Sequence, residues 1–144
     1  MVENEVSIAQ KQKELVDTFA FFEDWTEKYE HIIHLGKSLE SLDEKFKTES
    51  NLIKGCQSKV WLHASLENGK IIYKADSDAI ITKGLISLII GVFSGHSPEE
   101  IASADLAFID EIGLREHLSP TRSNGLLSMV KQIKFYALAF QAKN

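Results

Sequence analysis

Val60-Trp61-Leu62-His63-Ala64-Ser65-Leu66-Glu67-Asn68-Gly69-Lys70-Ile71-Ile72-Tyr73-Lys74-Ala75-Asp76 is the stretch that decides the fold of this chain. Val60, Leu62, Ala64 and Leu66 alternate with Trp61, His63, Ser65 and Glu67, the period of two that lines up apolar side chains on one face of a strand. Asn68-Gly69 tolerates positive φ at both positions, as a type I′ turn requires, so the run from Lys70 to Asp76 returns as a second strand. The segment is a predicted β-hairpin.

On both sides of it the period becomes helical. Upstream, Ile8, Leu15, Phe19 and Phe22 share one face of a predicted helix over about 6–22. Asp24-Trp25-Thr26-Glu27 has capping-box spacing, and Trp25, Tyr29, Ile32 and Ile33 carry a second helix that is expected to stop at Gly36. The charged segment 37–50 spaces Leu39, Leu42 and Phe46 for a short helix or a packed connector. Downstream, Asp76-Ser77-Asp78 offers caps for an apolar helix over 79–93 that ends at Ser94-Gly95. Ser97-Pro98-Glu99-Glu100 sets a cap, a proline at the first helical position and two carboxylates where the helix dipole favours them. A further short helix is expected over 105–113. The last begins near Ser119-Pro120 or Ser123-Asn124 and carries Leu126, Leu127, Met129, Val130, Ile133, Tyr136, Ala137 and Phe140. The predicted class is α+β, a small antiparallel sheet covered by helices on one face.

Length and charge narrow the function. The chain has 144 residues, enough for one core and short for two, so a single domain over 1–144 is expected. A net charge of −5 with interspersed signs argues against nucleic acid and towards proteins or small molecules as partners. The most apolar run, 79–93, is too short to span a bilayer and contains Lys83, so no membrane role is expected. One cysteine offers no disulfide framework, and Met1-Val2-Glu3-Asn4-Glu5 is acidic with no apolar segment of signal-peptide type, which points to the cytoplasm.

That cysteine, Cys56, stands in Lys54-Gly55-Cys56-Gln57-Ser58-Lys59, a polar turn just before the first strand. A cysteine kept for its volume normally sits among apolar neighbours, so this one reads as a presented thiol. Lys54 and Lys59 lie within three residues, and nearby positive charge favours the nucleophilic thiolate; both also fit as ordinary solvated lysines. Gly55 lets the backbone turn tightly and approach a partner.

Three blocks make the chain resemble a known family. Asn51-Leu52-Ile53-Lys54-Gly55-Cys56-Gln57-Ser58-Lys59-Val60-Trp61-Leu62, Ser77-Asp78-Ala79-Ile80-Ile81-Thr82-Lys83-Gly84-Leu85 and His117-Leu118-Ser119-Pro120-Thr121-Arg122-Ser123-Asn124-Gly125-Leu126 are similar, in order and spacing, to those of the SufE family. The resemblance runs from about Phe19 to the C-terminus. It departs at Ser38-Leu39-Glu40-Ser41-Leu42, where family members often have a proline-rich connector.

The resemblance implies an IscU-like fold and a sulfur acceptor for iron–sulfur cluster assembly. Such proteins take persulfide sulfur from a pyridoxal-phosphate cysteine desulfurase, SufS or a Csd-type homologue, stimulate it, and pass the sulfur to the SufBCD scaffold. The acceptor maps onto Cys56. No cofactor is implied on this chain beyond a transient persulfide, and a monomer and a homodimer are both open. Arg122 resembles a family arginine at the docking surface, and Asp78 a family aspartate near the partner-facing loop, though helix capping is an adequate role for the latter. Gln57 is a candidate to hydrogen-bond loop backbone and fix the direction of Cys56.

Two other classes stand beside the carrier. A cysteine enzyme would pair Cys56 with a base such as His117 and turn over without a partner. A pure interaction module would make Cys56→Ser silent. The three blocks favour the carrier, with no turnover of its own. His31 and His34 are three apart on a helix, close enough to share a metal, yet no cysteine or carboxylate pattern completes a site; His63 shares a strand face with Trp61 and Ser65.

Overall fold

The computed structural model of the protein describes residues 6–143, so the acidic start Met1–Glu5 lies outside the described residues. The hairpin forms as its sequence dictates. Strands β1 (Val60–Glu67) and β2 (Lys70–Ser77) pair antiparallel, with Glu67 opposite Lys70. Asn68 and Gly69 turn at φ 55° and 79°. This register sets Leu62 against Ala75 and Ala64 against Tyr73 on one face, where Val60, Leu62, Ile71, Tyr73 and Ala75 are buried.

Helices surround that face. They are α1 (Ile8–Ala20), α2 (Trp25–Lys37), α3 (Ile80–Phe93), α4 (Pro98–Ala102), α5 (Ala107–Ile112), α6 (Leu114–His117) and α7 (Pro120–Lys143). The architecture among the described residues is α+β, as expected. The centre is α3, whose Leu85, Ile86, Leu88, Ile89, Val92 and Phe93 are all buried against α1, α2, α7 and the sheet. Tyr73 reaches across the core and donates its hydroxyl to the Ile133 carbonyl of α7 at 2.7 Å, which satisfies a buried polar atom and ties sheet to helix.

Several caps are those read from sequence. Asp24 accepts from the Glu27 amide and Ser97 from the Glu100 amide, with Pro98 opening α4. Of the two starts open for the last helix, Ser119-Pro120 is used, with Ser119 Oγ accepting from the Arg122 amide. Helix α1 stops at Ala20, two residues short of the expected end, and Phe22 turns to pack on His31 with ring centroids 5.1 Å apart.

Two expectations are corrected. Gly36 does not stop α2, which runs on to Lys37. Gly36 is buried where α2 crosses α3, and a Cβ there would lie 2.8 Å from the Gly84 amide nitrogen; one on Gly84 would overlap the Ile32 carbonyl. The glycine pair brings two helix backbones together. Asp78 does not cap α3 either: the N-cap is Ala79, which has no side chain to offer. The connector 38–59 contains short 3-10 turns at Glu44–Phe46 and Glu49–Asn51 rather than a helix. It covers part of the second sheet face, with Phe46 stacked on His63 at 3.8 Å and Lys47 over Trp61. Lys47 and Lys83 also hold Asp76 at 3.0 and 3.3 Å. This pairing outweighs burial and keeps the Asp76 carboxyl below its ordinary range.

Candidate functional site

The loop that carries Cys56 is closed at its base by three hydrogen bonds. The Ile53 amide donates to the Val60 carbonyl at 2.9 Å, the Lys59 amide to Asp78 Oδ1 at 3.0 Å, and the Asp78 amide back to the Lys59 carbonyl at 3.2 Å. Asp78 therefore clasps the end of the loop to the end of β2. Between these bonds the chain must reverse within six residues, and Gly55 makes the reversal at φ +96°. Any side chain at 55 would also collide with Ser128 Oγ of α7. Gly55 is required twice over.

The reversal aims Cys56 inwards. Its Sγ donates to the Gly125 carbonyl of α7 at 3.6 Å, so the thiol rests against the helix backbone; a Cβ at residue 125 would lie 3.6 Å from Sγ, in ordinary contact. Cys56 is half-buried at a pocket of about 280 Å³ whose walls include Ile81, Leu85, Gly125 and Met129. Thr121 and Arg122 stand at its side. Ile80, 65% exposed, leaves an apolar lip beside the opening.

Of the two readings of Lys54 and Lys59, this surrounding favours the solvated one over activation of the thiol. Burial pushes the Cys56 thiol above its ordinary value, and neither Lys54 nor Lys59 opposes it. Both lysines are exposed. The resting group is a neutral S–H, because an apolar wall disfavours the charged form and a donated hydrogen bond favours the neutral one. The thiol is sheltered rather than presented.

The remaining sequence candidates divide. Arg122 lines the pocket, exposed, and its guanidinium has no partner among the described residues. Gln57 also lines it but is exposed and makes no hydrogen bond among the described residues, so it does not fix the direction of Cys56; Gly55, Ser128 and Gly125 do. His117 is not among the pocket residues. Its ring stacks on Trp25 at 4.2 Å and its Nδ1 lies 3.0 Å from the Gly113 carbonyl. No other histidine lines the pocket among the described residues. A base for a cysteine hydrolase is not in place. His31 and His34 stack at 6.5 Å, and among the described residues no three His, Cys, Asp or Glu side chains gather as a metal site.

Gly125, Met129 and Ser128 were not singled out from sequence as site residues. The signal was there: positions 121, 122, 125, 128 and 129 share one helical face, as i, i+3, i+4 and i+7 spacing requires.

Fold and site together define a small α+β protein holding one sheltered thiol on a clasped loop over a helix. A family model described as Fe-S metabolism associated domain, SufE, matches residues 13–137. The chain belongs to the SufE family. An uncharacterized SufE-like protein of Rhizobium meliloti (strain 1021) is 40% identical over 126 residues, 84% of this chain and 90% of that one. SufE-like protein 1, chloroplastic/mitochondrial, of Arabidopsis thaliana is 40% identical over 134 residues, 92% of this chain but 36% of that protein. The solution structure of a hypothetical protein from Thermus thermophilus shares the fold, with a TM-score of 0.76 at 20% identity over 94% of this chain and 97% of that one. Among the described residues no helix is long and apolar enough to cross a membrane.

Proposed function

We propose that this chain is a sulfur acceptor that takes persulfide sulfur from a cysteine desulfurase onto Cys56 and delivers it to an iron–sulfur scaffold. The observation that carries the reading is the docked thiol: Cys56 Sγ bonded to the Gly125 carbonyl at a pocket walled in part by Ile81, Leu85 and Met129, on a loop clasped at its base. In the transfer Cys56 loses its proton and its thiolate attacks the outer sulfur of the donor persulfide. A sulfur–sulfur bond forms at Cys56, the donor's own is broken, and the donor thiolate leaves; no net oxidation occurs.

The geometry suits both halves of that task. A neutral, half-buried thiol resists stray oxidation, and an outer sulfur added at Sγ would occupy the pocket away from water. A partner that draws the loop outwards removes the apolar wall and the hydrogen bond together, which lowers the cost of the thiolate at the moment it is needed. A second cysteine nearby would discharge the persulfide as a disulfide, and the sequence has one cysteine. Arg122, without a guanidinium partner among the described residues and placed at the pocket side, is suited to a carboxylate of the desulfurase. Pyridoxal phosphate belongs to that partner, SufS or a Csd-type homologue, and SufBCD is the receiving scaffold; the cytoplasm, whose reducing poise keeps a lone thiol free, is where the exchange takes place.

The test is intact-protein mass spectrometry after incubation with a cognate desulfurase and L-cysteine. The native chain is expected to gain one or more sulfur atoms that a reductant removes, and Cys56→Ser none. No gain on the native chain beside an active desulfurase rejects the reading.

A further inference from the structure

Leu127, Phe135 and Leu138 are 37%, 60% and 56% exposed and all lie on α7. With Leu106, Lys131 and Lys134 they line a shallow groove of about 410 Å³ that is open among the described residues. Exposed apolar side chains scattered singly need no account, but a cluster on one helix marks a contact surface.

The helix geometry places this groove. At about 100° per residue, Leu127, Lys131, Lys134 and Leu138 fall within an arc of about 60°. That arc faces away from Gly125, where Cys56 docks, and the buried stripe of Leu126, Met129, Val130, Ile133 and Ala137 separates the two sides. From Leu127 to Leu138 the groove runs about 16 Å, or three helical turns.

Charge narrows what fits. The charged side chains lining the groove are both lysines. Lys134 Nζ is held by the Ala102 and Ala104 carbonyls, whereas Lys131 is exposed with no partner among the described residues. A second copy of this chain docking through the same face by two-fold symmetry would set these lysines against their own equivalents in an apolar contact. A helix with apolar residues down one side and carboxylates along its edges satisfies both features.

We propose that this face of α7 docks an acidic amphipathic helix of a protein partner. Taken with the sulfur-acceptor reading, on which this consequence rests, such a partner holds the carrier from behind and leaves the Cys56 side free to be loaded or emptied.

The probe is a stapled helical peptide of about four turns with leucines at i, i+4, i+7 and i+11 flanked by glutamates, beside a lysine-flanked twin, both confirmed helical by circular dichroism. Fluorescence anisotropy on the full chain is expected to show saturable binding of the glutamate peptide, about tenfold tighter than its twin. Leu138→Asp and, as a second exposed variant, Phe135→Ser should each weaken it about tenfold, and Lys131→Glu should level or invert the preference. Cys56→Ser should leave binding unchanged, so failure of sulfur transfer and failure of the groove are separable. Equal binding of the two peptides, binding of neither, or a concentration-dependent dimer in sedimentation that Leu138→Asp disperses would each overturn the proposal, the last in favour of self-association.

Discussion

The Sγ of Cys56 donates to the carbonyl oxygen of Gly125, 69 residues further along the chain, at 3.6 Å. Because the bond is made by the neutral thiol and docking takes the sulfur out of water, the raised pKa of Cys56 and its docked position are one property. Alkylation of the free protein should therefore follow a pH profile whose midpoint lies above the ordinary thiol value, with slow reaction near neutrality. Added desulfurase should shift that midpoint downwards. A midpoint at or below the ordinary value would mean that the loop rests undocked.

Asp78 sets how firmly the loop is held, through the Lys59 amide. Asp78→Ala removes that acceptor at an exposed position and should cost about 1 kcal/mol or less in stability. Its larger effect is expected on Cys56 alkylation in the free protein, several-fold faster at fixed pH. Asp78→Asn keeps an acceptor at Oδ1 and should restore most of the native rate.

Gly55→Ala meets two obstacles, the positive φ and Ser128. A loss of more than about 1 kcal/mol in urea unfolding is expected. Adding Ser128→Gly removes the collision and leaves the dihedral strain, so the double variant should recover part of the loss. Full recovery would show that φ contributes nothing.

The α2–α3 crossing is as tight as backbone allows. Gly84→Ala sets a methyl group on the Ile32 carbonyl and should destabilise by about 1 to 3 kcal/mol, read as a fall in Tm with little change in Cys56 alkylation. Gly36→Ala should behave alike. Gly91, whose Cβ would meet nothing, is the control: Gly91→Ala should be neutral or stabilising.

His96 links stability to pH. It is 5% exposed; Nδ1 lies 3.0 Å from Glu100 Oε1 and Nε2 is buried without a partner among the described residues. Burial lowers its pKa, Lys11 and Lys70 lower it further, and Glu100 only partly opposes them. The unfolded chain therefore takes up this proton first as pH falls. The contribution is complete above the unfolded value of 6.5 and is lost as pH drops below it towards the folded value. The urea midpoint should fall between about pH 7 and about pH 5, and His96→Gln should flatten part of that slope. His31 and His63, also lowered by burial, contribute with the same sign.

What the sequence determined by itself is what neighbouring residues settle among themselves. Asn68-Gly69 carries its own turn geometry, Ser97-Pro98 and Asp24 their caps, and the alternation from Val60 its buried face, because dihedral preference and short-range hydrogen bonding act over a few residues. The three blocks together likewise pointed to the SufE family, whose model matches residues 13–137, and made Cys56 the acceptor candidate. Only the tertiary structure decided how that thiol is kept. Asp78 reads locally as a helix cap, yet its acceptor role is towards the Lys59 amide on another element. Gly36 reads as a stop, yet α3 packs on it. Lys54 and Lys59 read equally as activators of Cys56 and as solvated lysines, and it took the fold to show both exposed while the helix carrying Gly125 and Met129 buries the sulfur and raises its pKa. Desolvation and close backbone contact depend on what the fold brings alongside, and periodicity along the chain carries no record of it.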